Sequence, residues 1–295
     1  MKILLTGASG QVGWELARTL MPLGEVLAVN RQQADLADLQ SLRTVIQTYQ
    51  PDVIVNPAAY TAVDKAETER ELAFLINAEA PGVLAEEAKK LGALLVHYST
   101  DYVFDGAKNT PYSEDDATKP INVYGQSKLA GEQAIQAVSG DYLILRTSWV
   151  YASRGNNFLK TILRLASERE ELKIVADQIG APTWARLIAE VTVHAVRQSM
   201  QERQANLFNA NIYHLTSSGE TSWYGFAQQI VDNIREQGTL TLKNKLIQPI
   251  LTTDYPLPAQ RPANSRISCS RLEQQFGLSL PSWDNALKLC MQELD

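Results

Sequence analysis

Cysteine, histidine and long apolar runs are all scarce in this chain of 295 residues. Its two cysteines, Cys269 and Cys290, form no Cys-x-x-Cys pair, which argues against a disulfide framework or a thiolate metal site. Its three histidines, His97, His194 and His214, lack metal-ligand spacing, so each reads as a structural residue and no metal is expected. No apolar stretch approaches the ~20 residues that span a bilayer. The N-terminus passes through Lys2-Ile3-Leu4-Leu5-Thr6 straight into glycines, too short a run for a secretory leader. Basic clusters are missing too, and a net charge of -6 gives no reason to expect nucleic acid or an anionic membrane as partner. The expectation is a cytoplasmic α/β protein. With 45% hydrophobic and 20% charged residues, it can bury one large core or two ordinary ones.

The chain opens with Lys2 to Thr6, a buried-strand pattern, then Gly7-Ala8-Ser9-Gly10-Gln11-Val12-Gly13, then an apolar stripe at Val12, Leu16 and Leu20. Strand, glycine turn and helix begin a dinucleotide-binding unit. Gly7 permits the tight turn, Gly10 lets the backbone approach a pyrophosphate, and Gly13 allows helix to pack on strand. The free N–H groups at the helix start then face phosphate charge. A second strand, Val26 to Val29, ends in Asn30-Arg31 where an NAD site would carry a carboxylate. A guanidinium suits the extra phosphate of NADP, so the pattern leans to NADPH, with NADH as the alternative. An amphipathic helix follows through Leu39 and Tyr49, closed by Pro51. The third strand, Val53 to Asn56, delivers Pro57-Ala58-Ala59-Tyr60-Thr61 to the sheet edge, where ribose and nicotinamide are expected. Glu69 to Leu91 reads as helical, interrupted or restarted at Pro81.

Tyr124 and Lys128 lie four apart, on one face of a predicted helix over Val123 to Ile135 with Asn122 as N-cap. An ammonium beside a phenol lowers its pKa and makes it a usable general acid. Thr100 follows a fourth strand, Ala93 to His97, where its hydroxyl can meet a substrate carbonyl, and completes a Thr100–Tyr124–Lys128 triad. A fifth strand over Tyr142 to Arg146 precedes Thr147-Ser148-Trp149-Val150-Tyr151. Beyond it helices are expected at Asn157 to Ala166, Leu187 to Met200, Trp223 to Arg235 and Asp284 to Glu293. Short strands are expected at Lys173 to Val175 and Tyr213 to Thr216. The fold class is α/β: a Rossmann-type doubly wound parallel sheet over residues 1–150, with a smaller α/β substrate domain over 151–295 that returns some elements to the first.

These residues together resemble the extended short-chain dehydrogenase/reductases. Asn56 to Glu67, Tyr98 to Phe104, Asn122 to Lys128, Arg146 to Tyr151, Gly180 to Thr183 and Arg261 to Arg266 are similar to the dTDP-4-dehydrorhamnose reductase family. That resemblance implies reduction of dTDP-4-dehydro-β-L-rhamnose to dTDP-β-L-rhamnose by NAD(P)H, with hydride added at the sugar C4. By the same resemblance Tyr124 donates the proton, Lys128 holds the nicotinamide ribose, and Thr100 assists at the carbonyl. Gly10, Gln11 and Val12 would meet the pyrophosphate, Asn30, Asp35 and Leu36 the adenosine, and Ala59, Tyr60 and Thr61 the ribose, with Gly7 and Arg31 counted at the cofactor site on their own chemistry. Thr100, Asp101 and Trp149 would touch the sugar, and Arg261 and Arg266 the diphosphate. Some members are thought to dimerise through a metal held by glutamates. Glu15 and Glu293 could serve here, but Arg186 stands where a third carboxylate is expected, so the expectation is no metal and a monomer or weak homodimer. Two other readings stay in view. One is an extended epimerase or dehydratase, disfavoured by Asp101-Tyr102 after Thr100. The other is a non-catalytic relative like the regulatory subunit of methionine adenosyltransferase, which need not keep the triad together.

Overall fold

A computed structural model describes residues 1–238 and 240–294. Its centre is a parallel six-stranded sheet: β1 (Lys2–Leu5), β2 (Glu25–Ala28), β3 (Val53–Asn56), β4 (Leu94–Thr100), β5 (Tyr142–Thr147) and β6 (Asn211–His214). The spatial order is β6-β5-β4-β3-β1-β2, so the winding direction reverses between β1 and β3. β6 comes from the second half of the chain and pairs in register with β5, Ile212 opposite Ile144.

Continuous apolar strands are what a sheet covered on both faces requires. Alternate residues of each strand serve two different cores. Ile3, Leu5, Val53, Val55, Leu94 and Val96 join Leu16 and Leu20 on one side. Leu4, Ile54, Leu95 and Ile144 join Leu42, Ile46 and Leu84 on the other. The first side is covered by α1 (Gln11–Thr19), and the second by α2 (Leu39–Tyr49), α3 (Ala80–Leu91) and α4 (Val123–Val138).

The expected helix from Glu69 to Leu91 is broken as anticipated, but by a wider turn than a proline restart. Arg70–Phe74 is α-helical, Leu75–Glu79 is π-helical, and α3 resumes with Pro81 in its first turn. This turn presses Asn77 against α4 so closely that a Cβ on Gly131 would lie 2.1 Å from the Asn77 carbonyl oxygen. Asn77 accepts from the Tyr60 N–H at 2.8 Å and donates to the Ser127 hydroxyl at 3.0 Å, tying the loop after β3 to α4.

β4 runs three residues beyond the expected end because Thr100 still pairs with Thr147, so Thr100 terminates the strand rather than following it. The second half of the chain contributes Phe158–Glu168, Ala185–Gln204 and Trp223–Gln237 as its main helices, and a small parallel ribbon of Glu171–Val175 with Leu246–Ile250. Ala185–Gln204 packs against α1. Among the described residues no helix is long and apolar enough to cross a membrane.

Where α4 meets β5, Arg146 forks onto Glu132 with bonds of 2.8 and 2.7 Å, both side chains being almost wholly buried. Removing one partner strands a buried charge, whereas removing both does not. Arg146→Met should therefore lower unfolding stability by about 3–5 kcal/mol, and Arg146→Met combined with Glu132→Leu should recover most of that loss in urea melts.

Candidate active site

The glycine turn is shaped by backbone proximity. Gly7 takes φ +59°, and a Cβ on Gly13 would lie only 2.0 Å from the Gly7 carbonyl oxygen. No side chain there could be accommodated, so helix α1 can sit directly on the turn. Gly10 caps α1 without any side-chain bond, which leaves the first-turn N–H groups without a side-chain acceptor. They open on a cavity of about 640 Å³ at the carboxyl ends of the strands.

Gly7, Gly10, Gln11, Val12, Arg31, Asp35, Leu36, Ala59, Tyr60, Thr61, Tyr124 and Lys128 all line this cavity, as expected of them. Asn30 does not; its side chain accepts from the Gln32 N–H and shapes the turn after β2. Arg31 is largely exposed and bonds Asp35 at 3.1 Å. The Ala37 N–H, and Arg31 after it, hold the Asp35 carboxyl below its ordinary range. Sequence reasoning missed Gly155-Asn156, which lines the cavity from the second half of the chain, beside Gln11. Asn157 caps the following helix and donates to Gln11 Oε1 at 2.8 Å. The Gly-Asn-Asn turn before a helical stripe was its signal.

Asn122 caps α4 as predicted, accepting from the Gly125 N–H at 2.8 Å. Tyr124 meets Tyr102 edge to face at 5.7 Å. Thr100 is buried and accepts from the Tyr102 N–H at 3.1 Å while its hydroxyl reaches Asp101. The expected acidification of Tyr124 is not found. Burial pushes its phenol up to about 12, the Thr100 hydroxyl pulls it down, and Asp101 pushes it up. The reason is where Lys128 goes. Its amine reaches down to the strand, donating to the Tyr98 carbonyl at 2.6 Å and meeting His97 Nε2 at 3.2 Å. Burial lowers it to about 8, against the opposing pull of Glu132.

Asp101 is buried beside Thr100, with one carboxylate oxygen left without a partner, and burial lifts its carboxyl to about 7. Trp149 adopts φ +46°, a rare conformation for a bulky residue. It is held by stacking on Trp223 at 3.6 Å and by Gly180, where a Cβ would stand 2.7 Å from the indole. The two arginines are not free cations here. Arg261 forks onto Asp64 at 2.6 and 2.7 Å, and Arg266 bonds Glu220 at 3.0 Å and the Asn109 carbonyl. Neither lines the cavity. Their ionic partners were invisible to a linear reading because they lie far away in sequence.

Among the described residues, no group of three or more His, Cys, Asp or Glu side chains could hold a metal. Arg186 is ion-paired with Glu293, and Glu15 is buried nearby with its carboxyl raised by desolvation and then by Glu293.

A family model described as the RmlD substrate binding domain matches residues 1–295. The chain is 55% identical to a dTDP-4-dehydrorhamnose reductase of Burkholderia thailandensis over 295 residues, covering 100% of this chain and 99% of that one. It is 48% identical to the enzyme of that name from Escherichia coli K12, covering 100% and 98%. A crystal structure of dTDP-4-dehydrorhamnose reductase from Bacillus anthracis in complex with NADP superposes with a TM-score of 0.87 at 35% identity, covering 99% of both chains. The Thermus thermophilus UDP-glucose 4-epimerase with NAD shares the fold alone, at TM-score 0.79 and 17% identity, covering 99% of this chain and 98% of that one.

Gly180→Ala should displace the Trp149 ring while leaving the glycine turn intact. The expected result is a loss of roughly 1–3 kcal/mol of unfolding stability for the overpacked contact, read in urea melts.

Proposed function

Because the chain belongs to the dTDP-4-dehydrorhamnose reductase family, we propose that Thr100, Tyr124 and Lys128 carry that family's reaction here, NAD(P)H-dependent reduction of dTDP-4-dehydro-β-L-rhamnose to dTDP-β-L-rhamnose. The observation that carries this is convergence. Tyr124 and Lys128 open on the same cavity as the glycine turn, and the Thr100 hydroxyl meets the Tyr124 phenol.

The site fits a dinucleotide on its own terms. Gly13 and Gly7 leave room only for backbone, α1 begins uncapped, and the buried hydroxyls of Ser99 and Thr147 have no partner although both residues border the cavity. Gly10, Gln11 and Val12 would receive the pyrophosphate, and Arg31 a 2′-phosphate, supporting a preference for NADPH with NADH also usable. Ala59, Tyr60 and Thr61 would flank the ribose, and Lys128 would hold its hydroxyls. When bound, the reduced nicotinamide supplies the hydride. Tyr124 then has one task, donating its proton to the oxygen that gains charge at sugar C4, while the Thr100 hydroxyl stabilises that charge. A phenol held protonated by burial is in the correct form for this direction. Asp101 and Trp149 would contact the deoxysugar. Arg261 and Arg266 can meet the diphosphate only by exchanging Asp64 and Glu220 for it.

We divide the chain at about residue 150 into a dinucleotide-binding part and a mainly substrate-binding part that lends β6 to the sheet. The internal Arg186–Glu293 pair supports a monomer or weak homodimer. The cytoplasm, where reduced dinucleotide and nucleotide sugars are made, is the matching compartment.

The direct test is to offer the purified protein several dTDP-4-ketosugars with NADPH or NADH and follow loss of reduced-nicotinamide absorbance. Retained, unreleased NAD and epimerised product would overturn the reading. Tyr124→Phe should lower kcat by roughly 10²–10⁴-fold, the usual span for a lost general acid, with NADPH affinity largely kept. Lys128→Met should weaken both affinity and rate. In the wild type, kcat/KM for NADPH should fall as pH rises through about 8, because Lys128 loses its positive charge there.

A further inference from the structure

Beneath the proposed reductase site lies a run of buried polar side chains that the mechanism above does not use. Thr6, Asn56 and His97 occupy the carboxyl ends of β1 and β3 and the middle of β4, and none has measurable solvent exposure. The parallel register makes them neighbours: Leu5 pairs with Val55, and Asn56 with His97. Each stands two residues beyond an apolar side chain of the same face, Leu4, Ile54 and Leu95. They therefore form the polar edge of an otherwise apolar surface.

Their bonds run in one direction. The Thr6 hydroxyl meets Asn56 Oδ1 at 2.5 Å, which turns the Asn56 amide nitrogen to His97 Nδ1 at 3.0 Å. An amide N–H can only donate, so Nδ1 must accept. A neutral imidazole that accepts at Nδ1 carries its proton on Nε2, and Nε2 is the atom 3.2 Å from the Lys128 amine. Burial and the Lys128 charge both keep His97 neutral.

We propose that His97 is the positioning residue for Lys128: held by Thr6 and Asn56 with its proton on Nε2, it fixes where the Lys128 amine sits and how readily that amine holds a proton. This inference rests on the assignment of Lys128 to the dinucleotide site. The Tyr98 carbonyl accepts from the Lys128 nitrogen on one side, while on the other the Nε2–H can be accepted only by the neutral amine, because the ammonium that predominates below about pH 8 has no lone pair to offer it. One remaining N–H is left for the cavity that Lys128 lines. The histidine thus favours the uncharged amine until the ribose arrives.

Other charges around α4 are already engaged. Glu132, one turn further along, favours the ammonium but is bound by Arg146 from β5. Tyr124 on the same helix and Asp101 after β4 hold their protons more firmly than usual. Glu67 accepts from the Val123 N–H, Arg70 bonds Gln126, and Lys89 bonds the Val138 carbonyl.

The test is substitution Asn56→Asp, nearly isosteric. A carboxylate can only accept, so His97 must put its proton on Nδ1 and turn a lone pair to Lys128, as triad histidines do beside aspartate. In 15N-imidazole spectra, with only three histidines to assign, the wild type should show His97 protonated on Nε2 and the variant on Nδ1. The pH at which NADPH binding weakens should move upward by about one unit or more in Asn56→Asp. Thr6→Val, which keeps shape and removes the hydroxyl, should shift the same limb in the same direction by less. His97→Leu should weaken NADPH binding several-fold, and His97→Gln should restore part of it through its amide. A wild-type His97 protonated on Nδ1, or an unmoved limb in a folded Asn56→Asp protein, overturns the proposal. These readouts need no sugar, so an error in the substrate would leave them standing.

Discussion

A parallel sheet buried on both faces has no room for polar side chains except where its strands end, and that constraint organises this molecule. Four of the strands are apolar through their middle and turn polar at the carboxyl end: Thr6 after Leu5, Asn56 after Val55, His97 to Thr100 after Val96, Arg146 and Thr147 after Leu145. The carboxyl edge therefore gathers the buried polar side chains of the central sheet itself, and ligands of open parallel sheets gather at such edges. Because these groups sit at the boundary of two dry cores, each must be paired or aimed at something that will pair with it. Thr6, Asn56 and His97 are paired among themselves. Ser99 Oγ, Asp101 Oδ2 and Thr147 Oγ1 are not, and Ser99 and Thr147 border the cavity proposed for the dinucleotide.

The same burial changes how the tyrosine–lysine pair should be understood. In water a nearby ammonium would dominate the phenol. Here loss of solvent is the largest influence on both groups, and it drives them in opposite senses, the phenol towards keeping its proton and the amine towards losing one. For reduction this is the useful arrangement. A proton donor should hold its proton until negative charge appears on the sugar oxygen, and the stabilisation proposed for Thr100 and Tyr124 grows as ligands displace water from the site.

Much of this was legible from the residues alone. β3 spans Val53 to Asn56 as read, Asn122 caps α4 as its side chain and the preceding Pro120 suggest, and the glycine spacing placed the tight turn that borders the cavity. Local chemistry determines such features. What the linear reading could not supply was direction and partner. The Tyr124-x-x-x-Lys128 spacing puts two side chains on one face, yet says nothing of the His97 and Tyr98 atoms that draw the amine towards β4. Arg261 looked free for phosphate because Asp64 lies far earlier in the chain. His97 read as an ordinary core histidine because its neighbours Asn56 and Thr6 come from other strands. The π-helical turn at Leu75–Glu79 escaped notice because it depends on how Asn77 meets Gly131 of α4.

The second half of the chain does more than cover the cavity. Asn122 uses its carbonyl oxygen to cap α4 and its amide nitrogen to reach the Gln260 carbonyl at 2.7 Å. The Asp64–Arg261 pair fastens the same loop to the short helix Val63–Ala66. Further along, Ala263 and Ser265 pair with Ile179, next to the Gly180 that supports Trp149. One segment, 259–266, thus touches both the start of α4 and the aromatic wall proposed for the sugar. If substrate phosphate draws Arg261 away from Asp64, the displacement is felt at the cap of the helix that carries Tyr124. Binding at the far end of the nucleotide sugar would then be coupled to alignment of the proton donor through covalent continuity and two hydrogen bonds.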